Sequence, residues 1–154
     1  MTPPKLDEDL VRRLSSIAER LDGGDETADA KLLNEFNELA GTEIPFSEFQ
    51  GIYCAEEHED YVRRVLTEKV TVANLGLDRA GLVAMFERLL ADTSDNGYLQ
   101  YVFSTIEKTF GDDQVSDLVF WPGEYFGDGN DHRKLTPELM ADAVLTRHQQ
   151  RTSR

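Results

Sequence analysis

Cys54 and His58 are the first residues whose types and spacing could carry chemistry. They lie four positions apart, one turn of a helix, and a thiol beside an imidazole is how a cysteine nucleophile meets its base. The chain has a single cysteine, so it can form neither an internal disulfide nor a cysteine-based metal cluster. Because Ile52, Tyr53 and Ala55 surround Cys54, the sequence favours a buried, unreactive thiol over a catalytic one.

A run of acids around His58 is the next candidate, either for metal binding or for contact with a partner. The run comprises Glu56, Glu57, Glu59 and Asp60. A zinc-binding helix of the protease type needs a second histidine four positions later, and none follows His58 there. Acids in the first turn of a helix are stabilised by the helix dipole. The run therefore predicts a solvated helix start that can offer negative charge to a partner.

Two further groups of acids have spacings that resemble catalytic or metal-binding sites. Asp112, Asp113 and Asp117 could pair as general acid and base, but their spacing favours capping and solvation of a helix. The loop from Asp128 to His132 resembles the start of a calcium loop.

The calcium pattern fails further along, because its sixth position is Arg133 and its twelfth is Leu139, where glycine and an acid are needed. A turn in which Asp and Asn side chains bond their own backbone is the better prediction. We predict no metal site and no cofactor.

The string FWPGEYFGDG, residues 120–129, is the most distinctive part of the chain. Its proline and glycines require the backbone to turn while four aromatic side chains are held in place. In one interpretation Phe120 and Trp121 fill the core. In the other, Tyr125 and Phe126 form an exposed recognition patch between acids, because aromatic residues anchor protein interfaces. The predicted partner-binding residues are Glu56, Glu57, Glu59, Asp60, Glu124, Tyr125, Phe126, Asp128 and Asp131.

Charge and length limit the classes of function. The net charge of −14 argues against a nucleic-acid binder and against an anionic membrane surface, since both need a basic face. Such a field instead attracts basic proteins. The 154 residues predict one domain over 1–154, with 1–4 and 149–154 frayed. The N-terminus lacks a signal-peptide pattern and no run could span a membrane, so we expect a cytoplasmic protein.

Apolar residues recur at helical spacing along most of the chain and predict an all-α fold of seven or eight short helices. Glycines at 23–24, 41 and 111 are predicted to end three of them. Thr136 followed by Pro137 is a strong helix start. Pro122 is expected to close the short helix after Asp113. The β-prone residues between Lys69 and Leu77 have no partner strand and are interpreted as a loop.

A small, acidic, all-helical domain without a catalytic set resembles two bacterial classes. One comprises the immunity proteins that neutralise toxins of the colicin, contact-dependent and type VI kinds. The other comprises the DNA-mimic proteins, some of which have an Asn-Gly-aromatic-x-Gln-Tyr-x-Phe segment similar to residues 96–103. The resemblance implies contacts made by acids and aromatics, and it transfers no individual residue.

These observations predict a binding module that blocks a basic, nuclease-like bacterial toxin without performing any chemistry. The alternatives are a small hydrolase or transferase whose acids gather only in the fold, and a DNA-mimic or regulatory subunit. Acids around an open aromatic groove would favour the first hypothesis. A pocket with two convergent carboxylates and a histidine would favour the enzyme.

Overall fold

The computed structural model describes residues 2–153 and confirms the all-α prediction. Helix accounts for 66% of the chain and no strand occurs within those residues. Two of the helices, α3 and α8, are single turns that the apolar periodicity did not predict as separate elements. The helices are α1 (Glu8–Leu21), α2 (Ala30–Ala40), a 3-10 helix (Phe46–Phe49), α3 (Ile52–Ala55), α4 (His58–Val70), α5 (Arg79–Ala91), α6 (Asn96–Phe110), α7 (Val115–Phe120), α8 (Pro122–Phe126) and α9 (Pro137–Thr152).

The chain divides into two compact units, Met1–Val70 and Thr71–Arg154, where the sequence predicted one domain. Each unit has its own hydrophobic cluster. The first unit carries 17 acidic and 8 basic residues, a net charge of −9, and the second carries 13 and 8, a net charge of −5. Most of the negative charge therefore belongs to the first unit.

The first unit is built around α1, which packs against α2 and α4. Asp7 caps this helix, and its Oδ1 accepts the N–H groups of Asp9 and Leu10 at 3.0 and 3.3 Å. Three aromatic rings join the other elements in the core: Phe36 meets Phe49 edge-on at 4.9 Å, and Phe49 meets Tyr61 at 5.8 Å. Edge-on aromatic pairs add to the stabilisation from burial alone.

The second unit is organised around the long helices α5, α6 and α9, with α7 and α8 packed on each other. The predicted start of α9 is confirmed, because Thr136 Oγ1 accepts the Leu139 N–H at 3.2 Å and Pro137 occupies the first turn. The predicted end of α6 is confirmed as well. Gly111 has φ +71°, a left-handed conformation that glycine adopts at little cost.

Several expectations differ from the structure. Helix α7 ends at Phe120, just before Pro122 as predicted, but Pro122 also begins α8, because a proline is tolerated in the first turn of a new helix. Leu39 and Leu139 are exposed, although helical periodicity places both on the apolar stripes of their helices. Helix α9 continues through Thr152, so residues 149–152, expected to fray, are helical. The fraying expected at Met1 and Arg154 lies outside the described residues.

The close approach of the 128–131 loop to α8 depends on Gly123. The Gly123 carbonyl accepts the N–H groups of Asp128 and Gly129 at 3.1 and 3.2 Å. A β-carbon at Gly123 would lie 2.6 Å from the Asn130 nitrogen and from the Gly129 carbonyl carbon. Both neighbours are backbone atoms, so the loop would have to move.

We expect Gly123→Ala to lower the free energy of unfolding by about 1–3 kcal/mol, the usual cost of overpacking. Urea unfolding followed by the fluorescence of the single tryptophan, Trp121, measures it within this unit. Gly97→Ala is the matched control, because Gly97 lies in the first turn of α6 with its nearest neighbour atom at 3.6 Å. It should be neutral or stabilise by up to about 1 kcal/mol. Equal effects of the two substitutions would contradict the close approach.

Candidate functional site

The structure places the predicted partner-binding residues in both units. Glu56, Glu57, Glu59 and Asp60 lie in the first unit, at the start of α4. Glu124, Tyr125, Phe126, Asp128 and Asp131 lie in the second, on α8 and the loop after it. The two groups are therefore two candidate surfaces, each with its own geometry.

Half of the acidic run at α4 is neutralised within the unit. Glu56 pairs with Arg64 at 2.7 Å, and Glu59 pairs with Arg63 at 2.8 Å. Glu57 is exposed, Asp60 is half-buried, and neither forms an ion pair within residues 2–153. A partner therefore meets two uncompensated carboxylates here, instead of the four that the sequence suggested.

Asp22 is a buried carboxylate that the sequence did not single out. Its Oδ2 accepts the Tyr53 N–H at 3.0 Å and lies 2.9 Å from His58 Nε2, while Oδ1 accepts the Gly51 N–H at 2.9 Å. Burial acts to raise the pKa of Asp22, but these hydrogen bonds outweigh it and hold the pKa below its usual range. Asp22 thus ties the end of α1 to the starts of α3 and α4.

A cleft of about 600 Å³ lies beside this pair, and we call it the histidine cleft. Its lining residues are Arg12, Ser15, Ser16, Glu19, Glu57, His58 and Glu59. The cleft combines a histidine with several carboxylates, the feature named above as favouring an enzyme. Ser15 is engaged elsewhere, since its hydroxyl donates to the Val11 carbonyl at 2.6 Å. Because Asp22 holds one ring nitrogen of His58, the imidazole has a fixed orientation at the cleft wall.

Cys54 is exposed, which corrects the prediction of a buried thiol. Tyr53 beside it is 71% exposed, although the sequence placed its ring on an apolar face. The reason is the length of α3. Its four residues form one turn, and only Ile52 reaches the core. The remaining side chains of the turn face solvent directly before the acidic run.

The Asp22 contacts predict a specific pH dependence of stability. At neutral pH, Asp22→Ala should lower the free energy of unfolding by about 1–3 kcal/mol, because it removes the buried carboxylate that accepts two backbone N–H groups and contacts His58. The folded-state pKa is depressed, so this stabilisation is complete above the ordinary aspartate pKa of about 3.9 and is lost as the pH falls through the lower, folded value.

The difference between wild type and Asp22→Ala should therefore shrink below about pH 4, measured by circular dichroism melts across pH. Glu26→Ala serves as the control. Glu26 is exposed, so its substitution should have a small effect at every pH. A difference for Asp22→Ala that grows on acidification would contradict the assignment.

Tyr125 was predicted as an exposed anchor, and the structure corrects this because its side chain is only 3% exposed. Its hydroxyl donates to Asp112 Oδ2 at 2.6 Å, and the Arg147 guanidinium lies 3.7 Å from the ring centroid. Burial, followed by the hydrogen bond to Asp112, raises the pKa of Tyr125 well above its usual value. Tyr125 is a structural residue of the core.

Asp112 is also buried, although the sequence predicted a solvated helix cap. Besides Tyr125, it receives the Gln114 N–H at 3.1 Å. Arg147 and Arg151 approach its two carboxylate oxygens at 3.5 and 3.7 Å. Buried carboxylates persist only where such partners compensate for lost hydration. The sequence signal for this cluster was weak, because the arginines come more than 30 residues later, in α9.

The exposed aromatics of the string are Phe120 and Trp121, at 45% and 58%, where one interpretation placed both in the core. They lie at the junction between α7 and α8, and the Glu124 N–H donates to the Trp121 carbonyl at 2.9 Å. Glu124 is exposed and forms no ion pair within residues 2–153. We call Phe120, Trp121 and Glu124 the aromatic corner. Phe126 is 39% exposed, with the Arg133 guanidinium 4.1 Å from its ring centroid.

Asp128 and Asp131 have local structural roles. Asp128 Oδ1 accepts the Asn130 N–H at 2.9 Å, which confirms the predicted turn, and its other oxygen pairs with Arg133. Asp131 Oδ1 accepts the Gly123 N–H at 2.9 Å. Asp128 is thus engaged by its own loop and Asp131 by α8, so both carboxylates are less available to a partner than the sequence suggested.

No protein family, curated protein or solved structure matches this chain. Among residues 2–153, no helix has the length and apolar character needed to cross a membrane.

Proposed function

We propose that this protein is a binding module that recognises a basic protein partner through the aromatic corner. The observation that carries the proposal is the exposure of Trp121, 58%, beside a second exposed aromatic residue. Tryptophan is usually well buried, and it is the residue type most enriched among interface hot spots. An exposed tryptophan next to an uncompensated glutamate suits a partner with an apolar pocket and a basic rim.

Electrostatics support a basic partner. The net charge of −14 leaves both units negative, with −9 on the first and −5 on the second. Fields of this sign accelerate association with basic proteins, and the acceleration falls as salt screens it over about 8–10 Å. Rim charges such as Glu124 then act mainly on the association rate.

The first unit offers a second contact surface of the same kind. Tyr53 is exposed directly before the acidic run, where Glu57 and Asp60 are uncompensated. Tyrosine, like tryptophan, is an enriched interface anchor. The apolar neighbours of Tyr53 suggested a buried ring, but α3 is too short to bury more than one of its side chains.

The most specific form of the proposal is an immunity-type inhibitor that blocks a basic bacterial toxin, nuclease-like in charge, by direct binding. Inhibition would be steric and electrostatic, with no chemistry on the toxin. The class resemblance described above and the acidic, helical character of the chain support this form. The candidate partner is a basic protein encoded beside this chain's gene.

Binding to that purified neighbour-encoded protein is measured by calorimetry. Trp121→Ala should weaken binding by about 2 kcal/mol, roughly thirtyfold in Kd, with little change in melting temperature. Leu75→Ala is the control, since Leu75 is 91% exposed in the same unit but outside the aromatic corner. Absence of binding, or equal effects of the two substitutions, would refute the proposal. Protection of cells from the neighbour's toxicity tests the inhibitor form.

A second candidate function is a small hydrolase that uses the histidine cleft. The supporting observation is the Asp22–His58 contact at 2.9 Å at the wall of a cleft that also holds Glu57 and Glu59. An imidazole oriented by a carboxylate is the usual form of a general base. Ester hydrolysis measured with p-nitrophenyl acetate should then fall at least about tenfold in His58→Gln. Activity at the level of free imidazole, unchanged by the substitution, would exclude this candidate.

A further inference from the structure

The second unit contains a cleft whose charge is opposite to that of the whole protein. It lies along α9 and the end of α8, has a volume of about 640 Å³, and we call it the basic cleft. Its apolar lining comes from Phe126, Leu135, Leu139 and Ala143, and its cationic lining from Arg133, Lys134 and Arg147. This volume is in the range of pockets that bind small molecules, which are also mainly apolar with a few placed polar groups.

The cations of the cleft are held in different ways. Arg147 is fixed by hydrogen bonds to Gln114 Oε1, at 2.9 Å, and to the Tyr125 carbonyl. Arg133 is fixed by its ion pair with Asp128. Lys134 is exposed, and within residues 2–153 its ammonium forms no ion pair or hydrogen bond. The cleft thus has two positioned guanidinium groups and one uncompensated positive charge.

The single acid of the lining does not cancel that charge. Asp142 accepts hydrogen bonds from Arg79 Nε at 2.7 Å and from Arg79 Nη2 at 3.3 Å. The hydrogen bond from Arg79 lowers the pKa of Asp142, so the pair stays ionised and internally neutral. Lys134 therefore determines the net sign of the cleft, in a chain whose overall charge is −14.

We propose that the basic cleft binds a small organic anion with an apolar body, such as a medium-chain carboxylate. The anionic head would bind Lys134, in a cleft that Arg133 and Arg147 also line, because hydrogen bonds between ionised groups are the strong ones. The apolar body would cover Leu139 and Phe126, which are 49% and 39% exposed without it. Covering apolar area of this kind contributes the non-directional part of binding. The site is independent of the aromatic corner and of the partner proposed above.

The probe is decanoate below its micelle concentration, titrated into the full chain by calorimetry. Saturable one-to-one binding is expected, while decyltrimethylammonium, with the same alkyl chain and the opposite charge, should bind at least about tenfold more weakly. Non-specific attraction to a protein of charge −14 favours the cation, so tighter binding of decanoate would require a specific anion site. Amide shifts in a nitrogen-15 NMR titration should concentrate on α9, near Leu139 and Ala143.

Lys134→Glu should weaken decanoate binding by about tenfold or more, since it replaces an attractive charge with a repulsive one. Lys31→Glu is the matched control, because it changes the net charge equally from an exposed position in the first unit and should leave affinity within about twofold. Leu139→Ser should weaken binding through the apolar body.

Lys134, Leu139 and Lys31 are all exposed, so melting curves of the three variants are expected to match wild type and separate binding from folding. No decanoate binding, equal or tighter binding of the cation, or equal effects of Lys134→Glu and Lys31→Glu would each overturn the proposal. Binding of an acidic peptide at this cleft in place of decanoate would also overturn it.

Discussion

Asp112→Ala is expected to lower the free energy of unfolding by about 3–5 kcal/mol, the usual effect of removing one member of a buried charge cluster. The substitution leaves the Tyr125 hydroxyl without its acceptor and removes the carboxylate that Arg147 and Arg151 approach at 3.5 and 3.7 Å. It also removes the acceptor of the Gln114 N–H at the start of α7. The free energy of unfolding of a typical domain is only about 5–15 kcal/mol, so this one substitution would remove a large part of it.

Urea unfolding followed by Trp121 fluorescence provides the measurement, because the single tryptophan lies in the same unit as Asp112. Asp113→Ala is the matched control. Asp113 is the next residue, carries the same charge and is exposed, so its loss should cost less than about 0.5 kcal/mol. If the two variants were equally stable, the buried cluster around Asp112 would not exist as described.

Tyr125→Ala is expected to cost a similar amount, about 3–5 kcal/mol, because it removes a large buried ring and leaves a cavity. The ring lies under the Arg147 guanidinium and meets Phe126 edge-on at 5.2 Å. Tyr125→Phe keeps the ring and removes only the hydroxyl. It should cost about 1–3 kcal/mol, since the buried Asp112 carboxylate loses its donor.

Phe126→Ala shows whether the destabilisation depends on burial of the lost ring or follows the loss of any aromatic residue in the string FWPGEYFGDG. Phe126 is the adjacent aromatic residue and is 39% exposed, so its loss should cost about 1 kcal/mol or less. The order of destabilisation is therefore Tyr125→Ala, then Tyr125→Phe, then Phe126→Ala, in the same fluorescence-detected unfolding experiment. A stable Tyr125→Ala protein that lost affinity for a basic partner would restore Tyr125 as an interface anchor.

Local sequence patterns were sufficient for most helix boundaries. Thr136 accepts an N–H group in the first turn of its helix, as its position before Pro137 and an apolar-periodic segment indicated, and Asp7 and Asp78 do the same in α1 and α5. Gly41 and Gly111 end helices in the left-handed conformation that few other residues adopt readily. These features depend on atoms within a few residues of each other, so a single chain segment contains the information.

The exposure of the aromatic residues could not be read from the same patterns. Residues 120–126 cross from α7 to α8. Trp121 between them has a non-helical backbone conformation, so the positions that face inward in α8 do not continue the pattern of α7. Periodicity identifies one face of one helix, but it does not relate the faces of two successive short helices. As a result Tyr125 is buried while Phe120 and Trp121 are exposed, the opposite of the burial proposed for these three side chains, whereas Phe126 is exposed as the second interpretation predicted.

The effective charge of each candidate site likewise depends on contacts between distant residues. Residues 56–60 contain four acids, yet Arg63 and Arg64 neutralise two of them. Asp112 becomes a buried structural anion only because α9 brings Arg147 and Arg151 to it. Composition thus established an acidic, all-helical protein, since helical periodicity and net charge are properties of the chain alone. Which acids, aromatics and cations remain available to a ligand is set by packing, because burial and ion pairing join residues far apart in sequence.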